Sequence, residues 1–331
     1  MRKLTLCLFS LLTIASLALG ACGPAGGSAS SSGPEAGASD PGALSGTISV
    51  SGAFALYPMM TVWAEEFSRL HPGVQFDVQG GGAGKGMTDA IAGAVDIGMI
   101  SRSIKPEEEA QGIFWVSVTK DAVFPIISEK NPVADGVMAK GITQEVFNKI
   151  YVTGEIVTWG QVIGDPSVTD EIHVFTRSDA AGAAEQWAKY SGGKAQEDLL
   201  GVGVNGEPPM VDTVMKDPLG IGYGNLNSIF DLSGGGLVPG ILIPPIDING
   251  NGQADADETY TVKEDAFGAV ATGKYPSPPA RFENLATKGK PTGLVLAFIQ
   301  WILTDGQQYL EAAGYVPLTA EQQAESLAKL K

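Results

Sequence analysis

The sequence predicts an α/β protein that is built on parallel sheets and is long enough to form two lobes. Predicted strands and helices alternate between residues 47 and 100, and strand-helix-strand units of this kind pair their strands in parallel. A further strand at 172–176 is followed by a glycine-containing turn and another helix. About 285 residues follow residue 46, which is enough for two domains of ordinary size.

The first 21 residues predict a secretory signal peptide that ends in a lipid-attachment sequence. Two basic residues precede an apolar run at 4–19, and a Leu-Gly-Ala-Cys sequence then ends at Cys22. A transmembrane anchor is the alternative, and we disfavour it because the apolar run is short and leads straight into the cleavage sequence. We therefore expect a mature chain that begins with lipidated Cys22 and is attached to the outer face of the cytoplasmic membrane.

The mature chain is expected to begin with a flexible segment and to carry a strong negative charge, which excludes several classes of partner. Residues 22–46 are almost entirely Gly, Ala, Ser and Pro, which predicts a flexible tether. Without the signal peptide, 19 basic residues face 37 acidic residues, so the net charge is −18. This charge argues against nucleic acid and against contact with an anionic membrane beyond the lipid itself. Cys22 is the one cysteine that remains, so no intramolecular disulfide can form.

The predicted elements of the folded part follow in chain order. A strand at 47–50 leads into a helix that ends near Leu70 and has Pro58 in its first turn. Strands at 74–78 and 95–100 flank a glycine turn and a second helix. One face of the first helix carries apolar side chains at helical spacing, namely Met60, Trp63, Ala64 and Phe67. Later elements are a short helix capped by Ser103, strands at 114–118, 123–127, 172–176 and 220–226, a helix capped by Thr143, helices ending near Tyr190 and Leu303, a segment at 307–313 and a last helix opened by Thr319.

The glycine turn at 80–86 predicts a cradle for an oxyanion. Its glycines permit positive φ values, and the helix that follows aims unpaired backbone N–H groups at the space above its start. The segment does not fit a nucleotide P-loop, because Gln79 and Gly86 replace the glycine and the hydroxyl residue required around Gly84 and Lys85. The alternative to an oxyanion cradle is a plain turn between a strand and a helix.

Arg177 lies directly before another predicted helix start and repeats this pattern. The alternative for this residue is a local surface salt bridge with Asp179.

His71 and His173 are about a hundred residues apart, and the sequence has no Gly-x-Ser-x-Gly and no metal-spaced pair of histidines. We therefore expect no catalytic residues and no enzyme activity.

A calcium-binding loop is predicted at 247–258. The segment fits the pattern Asp-x-Asn-x-Asn-Gly followed by five residues and Glu, with Gly252 at the sharp turn. Pro244 and Pro245 exclude the usual entering helix, and the alternative is an acidic turn that happens to match. Because the loop lies outside the anion-binding stretches, we expect a structural Ca²⁺. Its predicted ligands are Asp247, Asn249, Asn251, Gln253, Asp255 and Glu258.

Seven segments, taken in order, resemble the phosphate-binding proteins of ABC-type phosphate importers. They read SGAFALYP, GGGAGKG, DIGMISR, ITQEVFNKIYVTGEIVTWGQV, TRSDAAGA, GIGYGNL and GKYPSPPARFENLATKGKP, and they cover essentially the whole chain from residue 47. The resemblance implies a two-lobed class II periplasmic binding protein fold, with two open sheets, helices on both faces and a ligand cleft between the lobes. It places lobe I at 47–122 and 223–331, and lobe II at 123–222.

The resemblance also implies three loops that hold the anion, at 52–55, at 83–86 with residue 101, and at 177–183. In the family, hydroxyl side chains donate to the phosphate, a carboxylate accepts its proton, and an arginine contacts both the phosphate and an aspartate. This chain keeps the arginine and the aspartate, but Ser101 stands where many members have the proton acceptor. The expected anion-binding residues are Ala53, Phe54, Ala55, Ala83, Gly84, Lys85, Ser101, Arg102, Arg177, Asp179, Gly182 and Ala183.

Four positions at which the family usually has Thr or Ser carry no hydroxyl group in this chain, namely Phe54, Ala83, Ala181 and Ala183. Each hydrogen bond to a charged group contributes about 1.5–3 kcal/mol, so the loss of several donors weakens phosphate binding unless others replace them. The available substitutes are Lys85, Arg102 and the backbone N–H groups.

These features together predict a monomeric, extracytoplasmic solute-binding lipoprotein of an ABC importer. It would capture an inorganic oxyanion, with phosphate as the first choice, and deliver it to the permease subunits. Within this class the alternatives are sulfate, a metal oxyanion, and a small organic anion or phosphate ester. The alternatives from other classes are a secreted hydrolase and a calcium-dependent surface interaction protein that needs no anion.

Overall fold

The computed structural model describes residues 44–331, so the predicted signal peptide, Cys22 and nearly all of the predicted tether lie outside the described residues. The first strand begins at Ser45, two residues before its predicted start at residue 47. The strands are Ser45–Gly52 (β1), Gly73–Gly80 (β2), Ile97–Ile100 (β3), Ile113–Ser128 (β4), His173–Arg177 (β5), Val202–Val204 (β6), Gly220–Asn225 (β7), Ile241–Leu242 (β8) and Ala280–Lys288 (β9). The helices are Tyr57–Leu70 (α1), Ala83–Ala92 (α2), Pro106–Glu109 (α3), Ala134–Lys140 (α4), Gln144–Tyr151 (α5), Trp159–Ile163 (α6), Gly182–Tyr190 (α7), Glu207–Lys216 (α8), Leu226–Ile229 (α9), Lys263–Thr272 (α10), Gly293–Ile302 (α11) and Ala320–Leu330 (α12). Within residues 44–331, no helix combines the length and the apolar character that crossing a bilayer requires.

Eight strands pair side by side in the order β2-β1-β3-β9-β4-β7-β5-β6, and the short β8 adds to β4. β1 pairs in parallel with β2 and β3, and β5 pairs in parallel with β6 and β7. Between these groups, β9 and β4 run antiparallel to each other and to their outer neighbours. The predicted parallel strands are therefore confirmed, and an antiparallel pair joins the two parallel groups.

β4 is one strand of 16 residues that belongs to both parts of the sheet. Its first part pairs with β9, and its last part pairs with β7. The sequence predicted two separate strands here, at 114–118 and 123–127, and this prediction is wrong because the polar residues 119–121 continue the strand. Asp121 is tolerated inside the sheet because it is buried opposite Arg281, whose Nη2 lies 2.9 Å from the Asp121 carboxylate.

The buried side chains form two main cores within one compact unit. The first core unites β1, α1, the first part of β4, α11 and α12, and it contains Trp63 and Phe298. The second core unites the last part of β4 with α5, α7, α8, β7 and α10, and it contains Trp187. The expected lobe boundary at residue 223 differs from this arrangement, because buried side chains within 226–275 belong to the second core. The chain returns to the first core only at β9.

Local signals in the sequence set several helix starts. Pro58 lies in the first turn of α1, and the four predicted apolar residues of that helix are all buried. Thr143 caps α5 and Thr319 caps α12, each by accepting a hydrogen bond from a backbone N–H three residues later. The predicted capping of α3 by Ser103 is wrong, because a proline begins the helix and makes Lys105 the cap.

Candidate functional site

A small cavity lies where the carboxyl ends of strands β1, β3, β5 and β7 meet the N-termini of α1, α2 and α7. This edge of a parallel sheet is where open α/β proteins bind their ligands. The cavity has a volume of about 10 Å³, which is roughly the space of one water molecule. Its lining residues are Phe54, Ala55, Gly82, Ala83, Ser101, Arg177, Ala181, Gly182, Ala183 and Asn225.

All three helices that begin at this cavity lack a capping side chain. Their N-cap residues are Leu56, Gly82 and Ala181, and none of these makes a side-chain cap hydrogen bond. The first N–H groups of an α-helix have no acceptor within the helix, and the helix dipole adds partial positive charge at the same end. The backbone N–H groups of residues such as Ala83 and Gly182 are therefore suited to an anion.

Arg177 is the buried cation of the cavity, with only 2% of its side chain exposed. Its Nε and Nη2 donate to the two carboxylate oxygens of Asp179 at 2.8 and 2.6 Å. Its Nη1 donates to Glu207 at 2.6 Å. The ring of Phe54 lies 5.7 Å from the guanidinium carbon, which adds a cation–π contact. The guanidinium plane is thus fixed by two carboxylates, as bidentate recognition of an oxyanion requires.

The two carboxylates that hold Arg177 have opposite pKa shifts. Burial acts to raise the pKa of Asp179, but the hydrogen bonds and charge of Arg177 outweigh it, so that the pKa lies below its ordinary value. Burial raises the pKa of Glu207 above its ordinary value, and the charge of Arg177 offsets this only in part. Asp179 is therefore the permanent anionic partner of the guanidinium, whereas Glu207 holds a proton more readily.

Loops from the two cores touch each other beside the cavity. The N–H of Gly84 donates to the carbonyl of Ala180 at 3.2 Å. Gly182 lies so close to Ser101 that an added Cβ atom would be 2.1 Å from the serine hydroxyl oxygen. Gly82 has a φ of +86°, and an added Cβ there would be 2.6 Å from the carbonyl oxygen of Ala180. This close approach requires glycine at both positions.

The structure brings together seven of the twelve residues expected to bind an anion, namely Phe54, Ala55, Ala83, Ser101, Arg177, Gly182 and Ala183. The expected pair of Arg177 and Asp179 is present, with Asp179 behind the guanidinium rather than at the cavity. Ala53 and Gly84 lie next to lining residues, but their N–H groups donate to the backbone carbonyls of Met99 and Ala180. They are therefore not free donors in this arrangement.

Lys85 and Arg102, the cations proposed to replace the missing hydroxyl groups, do not line the cavity. The Lys85 side chain is 43% exposed, and its ammonium group pairs with Asp89 along α2. Arg102 forms a two-point ion pair with Glu108 at 2.6 and 2.9 Å, and its Nε lies 3.2 Å from Glu185. Both cations are thus held by neighbouring carboxylates, in the case of Arg102 including Glu185 on α7, and the expectation that they reach the anion is corrected.

Sequence reasoning missed Asn225 and Glu207. Asn225 ends β7 and lines the cavity, and its segment GIGYGNL contributed to the family resemblance without a role for the side chain. Glu207 is the first residue of α8 and contacts Arg177, which lies 30 residues earlier. A helix start is readable from Gly206-Glu-Pro-Pro, but a contact over this distance has no local signal in the sequence.

The loop at 247–258 turns tightly around Asp247, which accepts hydrogen bonds from three backbone N–H groups at 2.7 to 3.2 Å. Glu258 accepts from the N–H of Ile248 at 2.7 Å, and both carboxylates are 3% exposed. Gly252 has a φ of +74°, as the sharp turn requires. Within residues 44–331, no cluster of three or more His, Cys, Asp or Glu side chains has the arrangement of a metal site. A metal here would depend on asparagine and backbone oxygens as well.

A family model described as the PBP superfamily domain matches residues 36–306. The chain belongs to this superfamily. Among its relatives, the phosphate-binding protein PstS of Bacillus subtilis (strain 168) is 28% identical to this chain over 323 residues, which covers 96% of each chain. The phosphate-binding protein PstS of Pseudomonas aeruginosa (strain UCBPP-PA14) is 25% identical over 308 residues, covering 84% of this chain and 85% of the relative.

Solved structures agree with this assignment of the fold. A substrate-binding protein of Clostridium perfringens that was solved with bound phosphate superposes with a TM-score of 0.66 at 23% identity, covering 83% of this chain and 100% of that one. An ABC-type phosphate transport receptor of Vibrio cholerae superposes with a TM-score of 0.61 at 21% identity, covering 82% and 100%. The predicted α/β binding-protein fold is thereby confirmed.

Proposed function

We propose that this chain is the solute-binding protein of an ABC importer and captures phosphate beside Arg177. The observation that carries the proposal is a buried guanidinium, fixed by two carboxylates, at the point where three uncapped helix N-termini converge. An oxyanion is the ligand that such donors suit best, because N–H groups and a guanidinium fork all donate and none accepts. The names of the relatives in Bacillus and Pseudomonas support phosphate in particular.

Capture requires the walls of the cavity to separate. A space of about 10 Å³ holds one water molecule and is too small for a tetrahedral anion. The loops at Gly84 and Ala180 come from different cores and meet through a hydrogen bond between backbone groups, and Arg102 pairs with Glu185 of α7 beside them. A hinge motion at β4 and β9 that breaks these two contacts would open the cavity. Closure would then surround the anion with N–H groups in a medium of low dielectric, where each donor contributes more.

The missing hydroxyl groups make a second ligand class worth testing. The cavity wall has alanine and phenylalanine side chains at Phe54, Ala83 and Ala183, which offer apolar contact rather than donors. A phosphate ester or a small organic anion could use this wall. We expect calorimetry on refolded, ligand-stripped protein to show phosphate binding more tightly than sulfate, molybdate or simple phosphate esters. Tighter binding of an ester would keep the transport role and replace the ligand, and binding of no anion would overturn the proposal.

We place the protein outside the cytoplasmic membrane as a lipid-anchored monomer that delivers its ligand to ABC permease subunits. The support is the signal sequence ending at Cys22 and the glycine- and serine-rich tether that follows it. In cells, Cys22→Ala should release the protein from the membrane and leave its folding unchanged, because the residue precedes the folded part. Mass spectrometry of wild-type protein that shows no acyl group on Cys22 would contradict the anchor.

We also propose that the loop at 247–258 binds a structural Ca²⁺ through the six predicted ligands. The buried carboxylates of Asp247 and Glu258 and the left-handed Gly252 support this proposal. The loop adjoins the start of α5, because the N–H of Asp247 donates to the carbonyl of Ile142 at 3.2 Å. Bound Ca²⁺ would hold this junction and would not touch the anion, since no loop residue lines the cavity.

Calcium titration tests the loop directly. In metal-free protein, Ca²⁺ at a hundred times its dissociation constant should add about 2.7 kcal/mol to the free energy of unfolding. Glu258→Gln should abolish this gain, because it removes a bidentate ligand. Asp257→Asn is the matched control, since position 11 of the loop supplies no ligand and Asp257 is exposed. Unfolding curves that do not respond to Ca²⁺ or to chelator would count against the site.

A further inference from the structure

A network of buried charges extends from Arg177 to the strands that join the two cores. We define this buried ion network by its two arginines and four carboxyl residues, namely Arg177, Arg281, Asp121, Asp179, Glu207 and Glu283. Each of these side chains is 8% exposed or less. The network lies directly behind the wall of the anion cavity, because Arg177 forms part of that wall.

Asn225 connects the two halves of the network. Glu207 accepts a hydrogen bond from Arg177 at 2.6 Å and another from the backbone N–H of Asn225 at 2.6 Å. The side-chain oxygen of Asn225 accepts from Nη2 of Arg281 at 2.5 Å. Asn225 also lines the cavity, so it touches the ligand space and both arginine clusters. A charge placed in the cavity therefore lies next to Arg177 and Asn225, and through Asn225 it is one residue away from Arg281.

The network contains more negative than positive groups. With every group ionised, four carboxylates face two guanidinium groups, a net charge of −2 in a buried place. Arg281 donates to Asp121 at 2.9 Å and to Glu283 at 3.0 Å. One oxygen of Asp121 and one of Glu283 are buried with no hydrogen-bond partner among the described residues. Unpartnered buried carboxylate oxygens are costly when charged, and a proton lowers this cost.

Burial raises the pKa of both Asp121 and Glu283, and the charge of Arg281 reverses this only in part. The titratable groups that face them are Arg281 on β9, Glu207 on α8, and the tyrosines Tyr275 and Tyr315. Burial raises the pKa of both tyrosines well above the ordinary value, so they stay neutral. Because Asp121 and Glu283 share one guanidinium, their protons belong to the pair rather than to either residue.

We propose that Asp121 and Glu283 act as a proton-binding pair and that capture of an anion beside Arg177 is accompanied by uptake of a proton from solvent by this pair. The inference rests on the proposed function, because it needs an anion in the cavity. A bound anion adds negative charge beside a network whose net charge is already negative. Protonation of one carboxyl group removes one unit of that charge without breaking any hydrogen bond from Arg281.

Calorimetry in buffers of different ionisation enthalpy measures this proton uptake. Each buffer gives up the proton with its own heat, so the dependence of the binding enthalpy on the buffer gives the number of protons taken up per phosphate. Phosphate itself titrates near neutral pH and contributes its own protons to the measured number. The difference between two variants cancels this contribution and leaves the protons taken up by the network. The variant is Glu283→Gln, which keeps the oxygen that accepts from Nε of Arg281 and loses the proton site.

The matched control is Asp212→Asn on α8, whose carboxylate is 54% exposed and pairs with Lys216. The titration is run at about pH 8, because burial raises the pKa of Glu283 to about 8 and part of this group is then ionised before phosphate binds. At this pH we expect uptake by wild type and by the control, less uptake by Glu283→Gln, and a weaker dependence of its phosphate affinity on pH. Equal uptake by all three proteins would overturn the inference while leaving the proposed function intact. Failure of wild type to bind any anion would instead overturn the proposed function. If Glu283→Gln does not fold, Asp121→Asn makes the same comparison at the other carboxyl group.

Discussion

Gly182 shows how tightly single residues set the geometry beside the cavity. It opens α7 and lies against Ser101, where an added Cβ would be 2.1 Å from the hydroxyl oxygen and 2.4 Å from the backbone oxygen. Contacts of this length are far below the van der Waals limit, and the second of them is with the main chain, which cannot rotate away. The start of α7 can thus approach β3 only because position 182 has no side chain.

We predict that Gly182→Ala weakens phosphate binding by at least about tenfold, which corresponds to about 1.4 kcal/mol. The added methyl group holds the start of α7 away from Ser101, so its N–H groups cannot close on the anion. Gly268→Ala is the control, because Gly268 is exposed within α10 and an added Cβ meets nothing within 4 Å. The control should bind normally and gain about 0.5–1 kcal/mol of stability from the lower backbone entropy of alanine. Equal affinity of the two variants in calorimetry would contradict this prediction.

Some contacts of the site residues can be read from the sequence, and others cannot. Arg177 and Asp179 are two positions apart, so their ion pair is readable from the sequence. Lys85 and Arg102 are also cations that lie next to glycine or serine, as Arg177 does. Their side chains are nevertheless held by Asp89 and Glu108. Nothing in the local sequence decides whether a cation faces the ligand or a neighbouring carboxylate. That choice depends on which strands and helices meet.

At the scale of elements, β4 and β9 carry the features that the sequence did not reveal. Polar residues in the middle of β4 read as a break between two strands, because a central strand is normally apolar. The structure satisfies Asp121 through Arg281, a partner that lies 160 residues later. Helix starts fixed by a proline or a threonine within a few residues, as at Pro58 and Thr143, were predictable. Cross-strand partners at this separation were not.

The pair formed by Glu283 and Arg281 makes stability depend on pH in a defined direction. Burial raises the pKa of Glu283 to about 8, against an ordinary glutamate value of about 4.3. Between these values the folded state binds more protons than the unfolded state, so the contribution of Glu283 to stability is present at low pH and is lost as pH rises. This loss has an upper limit of about 1.4 kcal/mol per pH unit for one proton.

We predict that the stability of wild type falls relative to Glu283→Gln as pH rises through this window, because glutamine has no charge to bury. Chemical denaturation of both proteins at a series of pH values measures the difference in the free energy of unfolding. The comparison cancels the other titrating groups, which the two proteins share. A difference that stays constant, or that grows in favour of wild type with rising pH, would show that Glu283 is ionised throughout.

At the scale of the whole molecule, two cores share the strands β4 and β9, and the anion cavity lies between loops from both. Length and the alternation of strands and helices were enough to predict the fold class, and the family model confirms it. The return of the chain to the first lobe was expected at residue 223, which is too early. The sequence of β7 is that of an ordinary buried strand, and no local feature shows that it pairs with β4. The chain crosses back only with β9, next to the buried ion network.

Binding of phosphate to Arg177→Ala tests whether the buried guanidinium holds the anion. The guanidinium is the one buried cation among the residues that line the cavity, and we predict a loss of at least about 2–3 kcal/mol of affinity, roughly thirty- to a hundredfold or more. Arg177→Lys should recover only part, because a point charge cannot supply the planar fork. The control is Arg69→Ala, which removes an exposed arginine paired with Glu66, and circular dichroism confirms that each variant folds. If Arg177→Ala is folded and binds phosphate as tightly as Arg69→Ala does, Arg177 is not the anion-binding residue and the anion does not bind in this cavity.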